Sequence, residues 1–368
     1  MLSVINFGLR VFLGSLAGAI RVAPWYIGYY LKGMGPEAEY NGTNYELGSA
    51  LLKNDDGIAN HKQFMDVTIT TNNDGVRLHA VMDAGQRRKK GKRPIIFVHG
   101  FPELWVSYHN QLEYFASRGH PVLAIDMRGY GLSDKPRGID KYNIHELVND
   151  VRCVVEYATR ELGGDGRLKP LLVAHDWGAG VCWTYVCQNR TVMNGEVVGY
   201  VSLTMPPMKA FKDNMSIKQA WMSLYMVYFN MPWLPEKIFL ANDAWFIGAI
   251  MKDCKRATLP EWLVGAYRAN VLQPKAMESQ LNYYRSAIQQ ASKPTEKMFG
   301  TKTIRLPLPV VIMRGLDDNA LGDDLFKGLD KYLSDVKLVE LENCSHWMQA
   351  DCPDEVNTEI EGFLGRFD

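Results

Sequence analysis

The chain has 368 residues, enough to bury a large core, and a prior of about 150 residues per domain allows two or three units, one of which can be an insertion. Lys and Arg number 41 and Asp and Glu 41, so no global field favours nucleic acid or a polyanionic substrate, and a small neutral partner is expected. Six cysteines (Cys153, Cys182, Cys187, Cys254, Cys344, Cys352) form no C-x-x-C pair and no zinc-like spacing with histidine; this predicts reduced structural thiols in a reducing compartment, and no metal or other cofactor is expected.

The N-terminus departs most from the average composition. From Leu2 to Leu31 the chain is apolar and glycine-containing, lacks acids, and carries only Arg10 and Arg21 as charges. A membrane span needs about 20 predominantly apolar residues, and an Arg at its centre, as Arg21 is in Val11–Leu31, costs roughly 2.5–3.5 kcal/mol. Three readings stay open: a tilted or imperfect membrane anchor, which is favoured, an interfacial amphipathic segment, and a core-packed helix pair. No small-residue cleavage site follows a compact apolar core, which disfavours a cleaved signal peptide. Residues 33–60 are polar and glycine-containing and complete the first segment, 1–60, as a connector.

Strand-like runs follow at Asp66–Thr71 and Val76–Asp83, with Asn72-Asn73-Asp74-Gly75 between them as a hairpin turn. The basic run Arg87–Arg93 reads as a solvated loop, with contact to an anionic membrane surface as the alternative. Beyond it, short apolar runs alternate with helical stretches: Ile95–Val98, Val122–Ile125, Leu171–Ala174, Tyr200–Thr204, Val310–Met313 and Lys337–Leu341. This is the pattern of an α/β protein with a doubly wound, mostly parallel sheet. Asn143 and Glu146 form a capping-box-like pair that opens a helix. The alternation stops between Met205 and Leu306, where aromatic and Met-rich sequence is cut by prolines at 206, 207, 232, 235, 260, 274 and 294. Such a stretch suits a helical cap over an apolar pocket, with an ordinary helical subdomain as the alternative. The expected division is a core at 61–205, a cap at 206–306 and the rest of the core at 307–368.

Leu171–Gly180 reads as a buried strand, a turn of small residues and a helix, with Asp176 at the exposed tip where a nucleophile elbow places its reactive side chain. By itself the pattern is weak, because Asp also caps helices well. Three further features stand in the chain order of nucleophile, acid and histidine. Strand Ile95–Val98 ends in His99-Gly100-Phe101-Pro102, a turn able to aim backbone N–H groups at an oxyanion; Val310–Met313 ends in Arg314-Gly315-Leu316-Asp317-Asp318; and Lys337–Leu341 is followed by Cys344-Ser345-His346-Trp347.

His99-Gly100-Phe101-Pro102, Asp126–Asp134 (DMRGYGLSD), His175-Asp176-Trp177-Gly178 and Ser345-His346-Trp347 closely resemble the epoxide hydrolases of the α/β-hydrolase superfamily, over about residue 60 to the end. The resemblance implies the α/β-hydrolase fold with an inserted cap, Asp176 as nucleophile, His346 as base, and Asp318 as its orienting acid, with Asp317 the alternative. It implies two cap tyrosines that protonate the opened ring: Tyr284 in Leu281–Arg285, and Tyr225, with Tyr228 the alternative, in Leu224–Asn230. The backbone N–H groups of Phe101 and Trp177 are the implied oxyanion donors; Phe101, Trp177, Trp221, Trp347 and Met348 are expected to line the pocket; His99, Pro102, His175 and Asp126 are expected to be structural. The apolar N-terminus resembles that of the membrane-bound animal members, which implies the endoplasmic reticulum membrane with the catalytic domain in the cytosol. A hydrophobic epoxide, lipid-derived epoxides among the candidates, is the implied substrate; nucleic acid is not a partner, and oligomeric state stays open.

An aspartate suits this chemistry. A carboxylate can displace the oxygen of a strained sp³ epoxide carbon without first losing a proton, which leaves the histidine free to activate water against the resulting ester. Haloalkane or haloacid dehalogenation shares that nucleophile, but dehalogenases typically hold halide with an Asn where this chain has Phe101. A serine-type esterase is disfavoured by Asp176 itself, and a catalytically silent binding protein by the presence of every catalytic element.

Overall fold

A computed structural model describes residues 64–83, 85, 91–164, 166–188, 194–290 and 305–367. The apolar N-terminal segment, its connector and most of the basic run lie outside the described residues. Among the described residues no helix is long and apolar enough to cross a membrane.

Eight strands lie among the described residues: β1 (Phe64–Thr70), β2 (Arg77–Asp83), β3 (Ile95–Val98), β4 (Val122–Ile125), β5 (Leu171–His175), β6 (Gly199–Leu203), β7 (Val310–Gly315) and β8 (Val336–Leu341). They form one sheet in the order β1-β2-β4-β3-β5-β6-β7-β8. β1 and β2 pair antiparallel through the expected hairpin, where Gly75 takes a φ of 71° and the Thr71 N–H donates to the Val76 carbonyl at 2.9 Å. β2 also runs antiparallel to β4, and every pairing from β4 through β8 is parallel. All residues of β3, β4, β5 and β6 are buried, because helices cover both faces, and the strands are therefore written as apolar runs without alternation.

Those helices are α1 (His109–Ser117), α2 (Ile144–Leu162) and α3 (Asp176–Val186). Asn143 caps α2, its side-chain oxygen accepting from the N–H groups of His145 (2.9 Å) and Glu146 (3.3 Å). Between β6 and β7 lie α4 (Met208–Asp213), α5 (Ile217–Met222), α6 (Leu224–Tyr228), α7 (Leu234–Met251), α8 (Glu261–Leu272) and α9 (Ala276–Gln290), and after β8 come α10 (Met348–Asp351) and α11 (Pro353–Leu364). The prolines punctuate the insertion: Pro207 and Pro260 hold the N-cap positions of α4 and α8, and Pro235 sits in the first turn of α7. Within α7 the residues Ala241–Ala244 leave helical geometry, so two helical pieces meet at a kink.

Two of the hydrogen bonds that tie the insertion to the core grip one loop. The Gly131 N–H donates to Asn270 Oδ1 of α8 at 2.8 Å, and the Tyr283 hydroxyl of α9 donates to the Arg128 carbonyl at 2.7 Å. The loop they grip is built around the buried Asp126, whose carboxylate accepts from the N–H groups of Trp105 and Leu132 and meets His79 at 2.8 Å. Burial would raise its pKa, but the bond and charge of His79 with the neighbouring His99 hold it below the usual carboxylate range.

Candidate active site

The strand-to-helix bend after β5 puts Asp176 in a strained conformation, with φ at 48°. For a non-glycine residue this costs of order 1–3 kcal/mol and survives only where the surroundings enforce it. They do. A Cβ on Gly178 would collide with the His99 carbonyl oxygen, and a Cβ on Gly100 would lie 2.5 Å from the Asp176 Cβ. The end of β3 thus lies directly against the bend. It delivers the Phe101 N–H to Asp176 Oδ1 at 2.8 Å, and the Phe101–Pro102 peptide bond is cis. Trp177 follows in the first turn of α3, where backbone N–H groups lack an intrahelical acceptor.

The ends of β7 and β8 bring the remaining groups. His346 Nε2 lies 3.6 Å from Asp176 Oδ2, and His346 Nδ1 lies 2.8 Å from Asp318 Oδ2. The second oxygen of Asp318 accepts from the N–H groups of Ala320 at 2.6 Å and Leu321 at 3.0 Å, which fixes the carboxylate behind the imidazole. Asp317 is exposed, and its N–H is bound to the Cys344 carbonyl. Of the two candidate acids, Asp318 is the one brought onto His346.

These positions bias protonation. Burial alone would raise the Asp176 carboxyl, but the hydrogen bond and charge of His346, the nearby His175 and the Phe101 N–H hold it below the usual carboxylate range. Burial alone would lower His346; the charge of Asp318 and the contact with Asp176 outweigh it and push the imidazole well above its ordinary value. The resting site is therefore an imidazolium between two carboxylates.

Behind it lies a second buried histidine–carboxylate pair. His175 Nδ1 is 2.6 Å from Glu103 Oε2, which also accepts the Gly100 N–H at 3.0 Å, while His175 Nε2 is 2.9 Å from the His346 carbonyl oxygen. His99 is structural in a comparable way, accepting the Met127 N–H at 3.0 Å. His175 thus supports the turns, the role its place beside Asp176 predicts, whereas no spacing in the sequence marks Glu103.

Tyr225 and Tyr284 stand over the carboxylate, their ring centroids 6.2 Å apart, and Tyr284 packs edge-on against Trp177 at 4.9 Å and Phe101 at 5.3 Å. Burial, together with the neighbouring Tyr225 and Asp176, pushes the Tyr284 hydroxyl well above its ordinary pKa, so it stays protonated and able to donate. Asp176, Tyr225 and Tyr284 line two chambers at once. One, of about 140 Å³, runs past Trp177, Met205, Met208 and Phe211; the other, of about 390 Å³, runs past Phe101, Phe229, Phe246 and Trp347. Tyr228 lines only the larger one.

Two expected lining residues are elsewhere. Trp221 is 63% exposed and lines neither chamber. The reason is Gln219, which α5 buries so that its amide donates to the Ala320 carbonyl and accepts the Gly322 N–H; two residues on, Trp221 faces outward and Met222 takes the wall position. Met348 is fully buried and lines neither chamber, because it opens α10 with its side chain in the core beneath the site.

A nucleophile elbow, an N–H donor loop and an acid and histidine on the last two strands, all at the carboxyl edge of an eight-stranded sheet, coincide with a match of residues 93–353 to the model for the alpha/beta hydrolase fold. The chain belongs to the α/β-hydrolase fold family. Within this family its kinship is with epoxide hydrolases. It is 31% identical to epoxide hydrolase 3 of Mus musculus over 79% of this chain and 74% of that protein, and 31% identical to epoxide hydrolase 2 of Caenorhabditis elegans over 73% of each. Among solved structures, an inhibitor complex of Bacillus megaterium epoxide hydrolase matches with a TM-score of 0.67 and 28% identity, covering 81% of this chain and all of that one.

Proposed function

We propose that this α/β-hydrolase converts hydrophobic epoxides to vicinal diols through a covalent ester on Asp176. The observation that carries the reading is the division of labour at that carboxylate: Oδ1 is held by the Phe101 N–H, while Oδ2 faces the chambers beside His346. Oδ2 attacks a ring carbon and the carbon–oxygen bond opens away from it. The departing oxygen takes a proton from one hydroxyl of the pair Tyr225 and Tyr284, leaving a tyrosinate that the other hydroxyl can hydrogen-bond. Esterification erases the negative charge of Asp176, one of the two carboxylates that keep His346 protonated. The imidazole can then release its proton to the tyrosinate and take one from water, whose oxygen adds to the ester carbonyl carbon. Asp318 holds the ring throughout and the N–H groups of Phe101 and Trp177 hold the oxyanion; on collapse the ester carbon–oxygen bond breaks, the departing diol oxygen takes the remaining proton of the added water, and the carboxylate and the imidazolium are restored. Each oxyanion donor of this kind is typically worth roughly 2.7–4 kcal/mol.

The two chambers support an apolar substrate with a substituent on each side of the ring, the longer in the 390 Å³ chamber. Halide displacement is less well supported, since two hydroxyl donors suit an alkoxide better than a halide. The acid-free apolar N-terminus supports attachment to the endoplasmic reticulum membrane with the catalytic domain in the cytosol; a chain starting near Gly48 that still needs detergent would reject the anchor. The central test is a single turnover in ¹⁸O-water: label should enter the Asp176 carboxylate. Label confined to the diol would exclude the ester.

A further inference from the structure

Three of the most exposed large apolar side chains belong to α5 and to the start of α7. Ile217 is 92% exposed, Trp221 63% and Trp233 62%, with Leu240 at 38%. They are ordered by helical spacing. Ile217 and Trp221 are four residues apart on one face of α5, beside the exposed Lys218; Trp233, Lys237 and Leu240 repeat at the fourth and seventh positions along one face at the start of α7. Isolated exposed apolar residues are ordinary on soluble proteins, but two helix faces each carrying a Trp, an aliphatic residue and a Lys are the composition of an interfacial surface.

Charge narrows the partner. α5 contains no acid; Asp324, which reaches its cap residue Ser216, is itself paired with Lys327 at 2.6 Å, and the only acid between Trp233 and Leu240, Glu236, is turned inward onto Arg285 at 2.7 Å. Lys237 Nζ lies 5.0 Å from the Trp233 ring centroid, so cation and indole share one surface. Each helix turns another side to the larger chamber: Met222, next to Trp221, and Ile238, next to Lys237, are both wall residues.

We propose that the outer faces of α5 and α7 are a docking surface for an anionic phospholipid bilayer, with Ile217, Trp221, Trp233 and Leu240 immersed at the acyl boundary and Lys218 and Lys237 at the headgroups. Docked in this way, the larger chamber takes its apolar substrate from the lipid rather than from water. The surface is made of described residues alone, and the substrate route rests on the hydrolase reading.

The test uses the full chain and a quadruple variant, Ile217→Ser, Trp221→Ser, Trp233→Ser and Leu240→Ser, with vesicles of phosphatidylcholine and phosphatidylserine. Brominated lipid should quench part of the wild-type tryptophan fluorescence, and the variant should lose that part. Turnover of a long-chain epoxide dissolved in the vesicles should fall at least about tenfold, because each immersed side chain adds to partitioning, while turnover of styrene oxide in water stays unchanged. Equal quenching in both proteins, or vesicle turnover unchanged in the variant, overturns the proposal. So does a wild-type dimer that the variant loses in sedimentation with vesicle turnover intact, which would make the surface a contact between copies. If neither protein turns over any epoxide the hydrolase reading fails, and the quenching comparison alone then decides for or against the docking surface.

Discussion

Replacing Asp176 by Asn gives a stable counterpart of the neutral ester and isolates the step on which the mechanism turns. In the native site His346 Nε2 lies 3.6 Å from Asp176 Oδ2 and His346 Nδ1 lies 2.8 Å from Asp318 Oδ2. At the first separation, with an effective dielectric constant of about 20, the charge of Asp176 is worth about 4–5 kcal/mol to the imidazolium. Even if solvent screening halves this, about 2 kcal/mol remains, more than a tenfold change in proton affinity. The variant should therefore release the His346 proton at a clearly lower pH, followed by long-range ¹H–¹⁵N spectra of the imidazole. Stability should follow. A histidine whose native pKa is raised stabilises the fold fully below its unfolded value, near about 6.5, and loses that contribution as pH climbs through the native value. In the wild type this loss runs on to the raised native value on the alkaline side; in Asp176→Asn it should be smaller and end at lower pH, read as the unfolding midpoint against pH. Identical imidazole titrations in the two proteins would refute the argument that alkylation unlocks the base.

Three further perturbations test neighbouring parts of the site. Tyr225→Phe and Tyr284→Phe should each slow single-turnover alkylation by about 10- to 100-fold, and the double variant by considerably more, since each hydroxyl partly covers for the other; Tyr228→Phe, on the larger chamber alone, should change it less than about threefold, and a larger effect would move the donor role to Tyr228. His346→Gln should leave ester formation within about tenfold and slow its hydrolysis by at least about 10³-fold, so the alkylated protein appears by intact-mass measurement; steady rapid turnover would reject His346 as the base. Gly100→Ala should cut kcat while leaving the fold intact, because the new methyl would sit 2.5 Å from the Asp176 Cβ and 2.7 Å from Oδ1; wild-type kinetics would mean that the loop yields without moving the nucleophile.

The parallel strands β3 to β7 were legible because each had to be apolar on both faces, whereas the edge strand β8 is largely exposed. Ile95–Val98 and Val122–Ile125 fall where the runs end in the sequence, and the other strands differ by one or two residues at their ends. The helical insertion was legible only as a region. Its prolines marked helix starts, but the kink at Ala241–Ala244 has neither Gly nor Pro; Arg268 of α8 holds it from outside, donating to the Asp243 carbonyl at 2.6 Å and pairing with its carboxylate. Side-chain direction was hardest. Trp221 looked like a pocket residue by composition, and it is the buried Gln219 that sets the rotation of its helix. Glu103 escaped for a related reason: its partners His175 and Gln349 are far along the chain, and only the sheet order brings them together.

The depth of that network bears on why an aspartate can be kept ionised and aimed at a saturated carbon. Asp176, Asp318 and Glu103 crowd the carboxyl edge of the sheet, and burying carboxylates together favours protonation unless each is compensated. Each is compensated differently. Asp318 accepts two backbone N–H groups and the imidazole, and Glu103 accepts the Gly100 N–H while paired with His175. Asp176 has one N–H and a looser contact, 3.6 Å, to the imidazole that Asp318 already holds. The least satisfied of the three carboxylates is thus the one at the tip of the bend and open to both chambers. Tightening its contacts would lower its pKa further and its nucleophilicity with it. The arrangement instead places the strong hydrogen bonds on the groups that orient His346 and leaves the reacting oxygen the weakest partner.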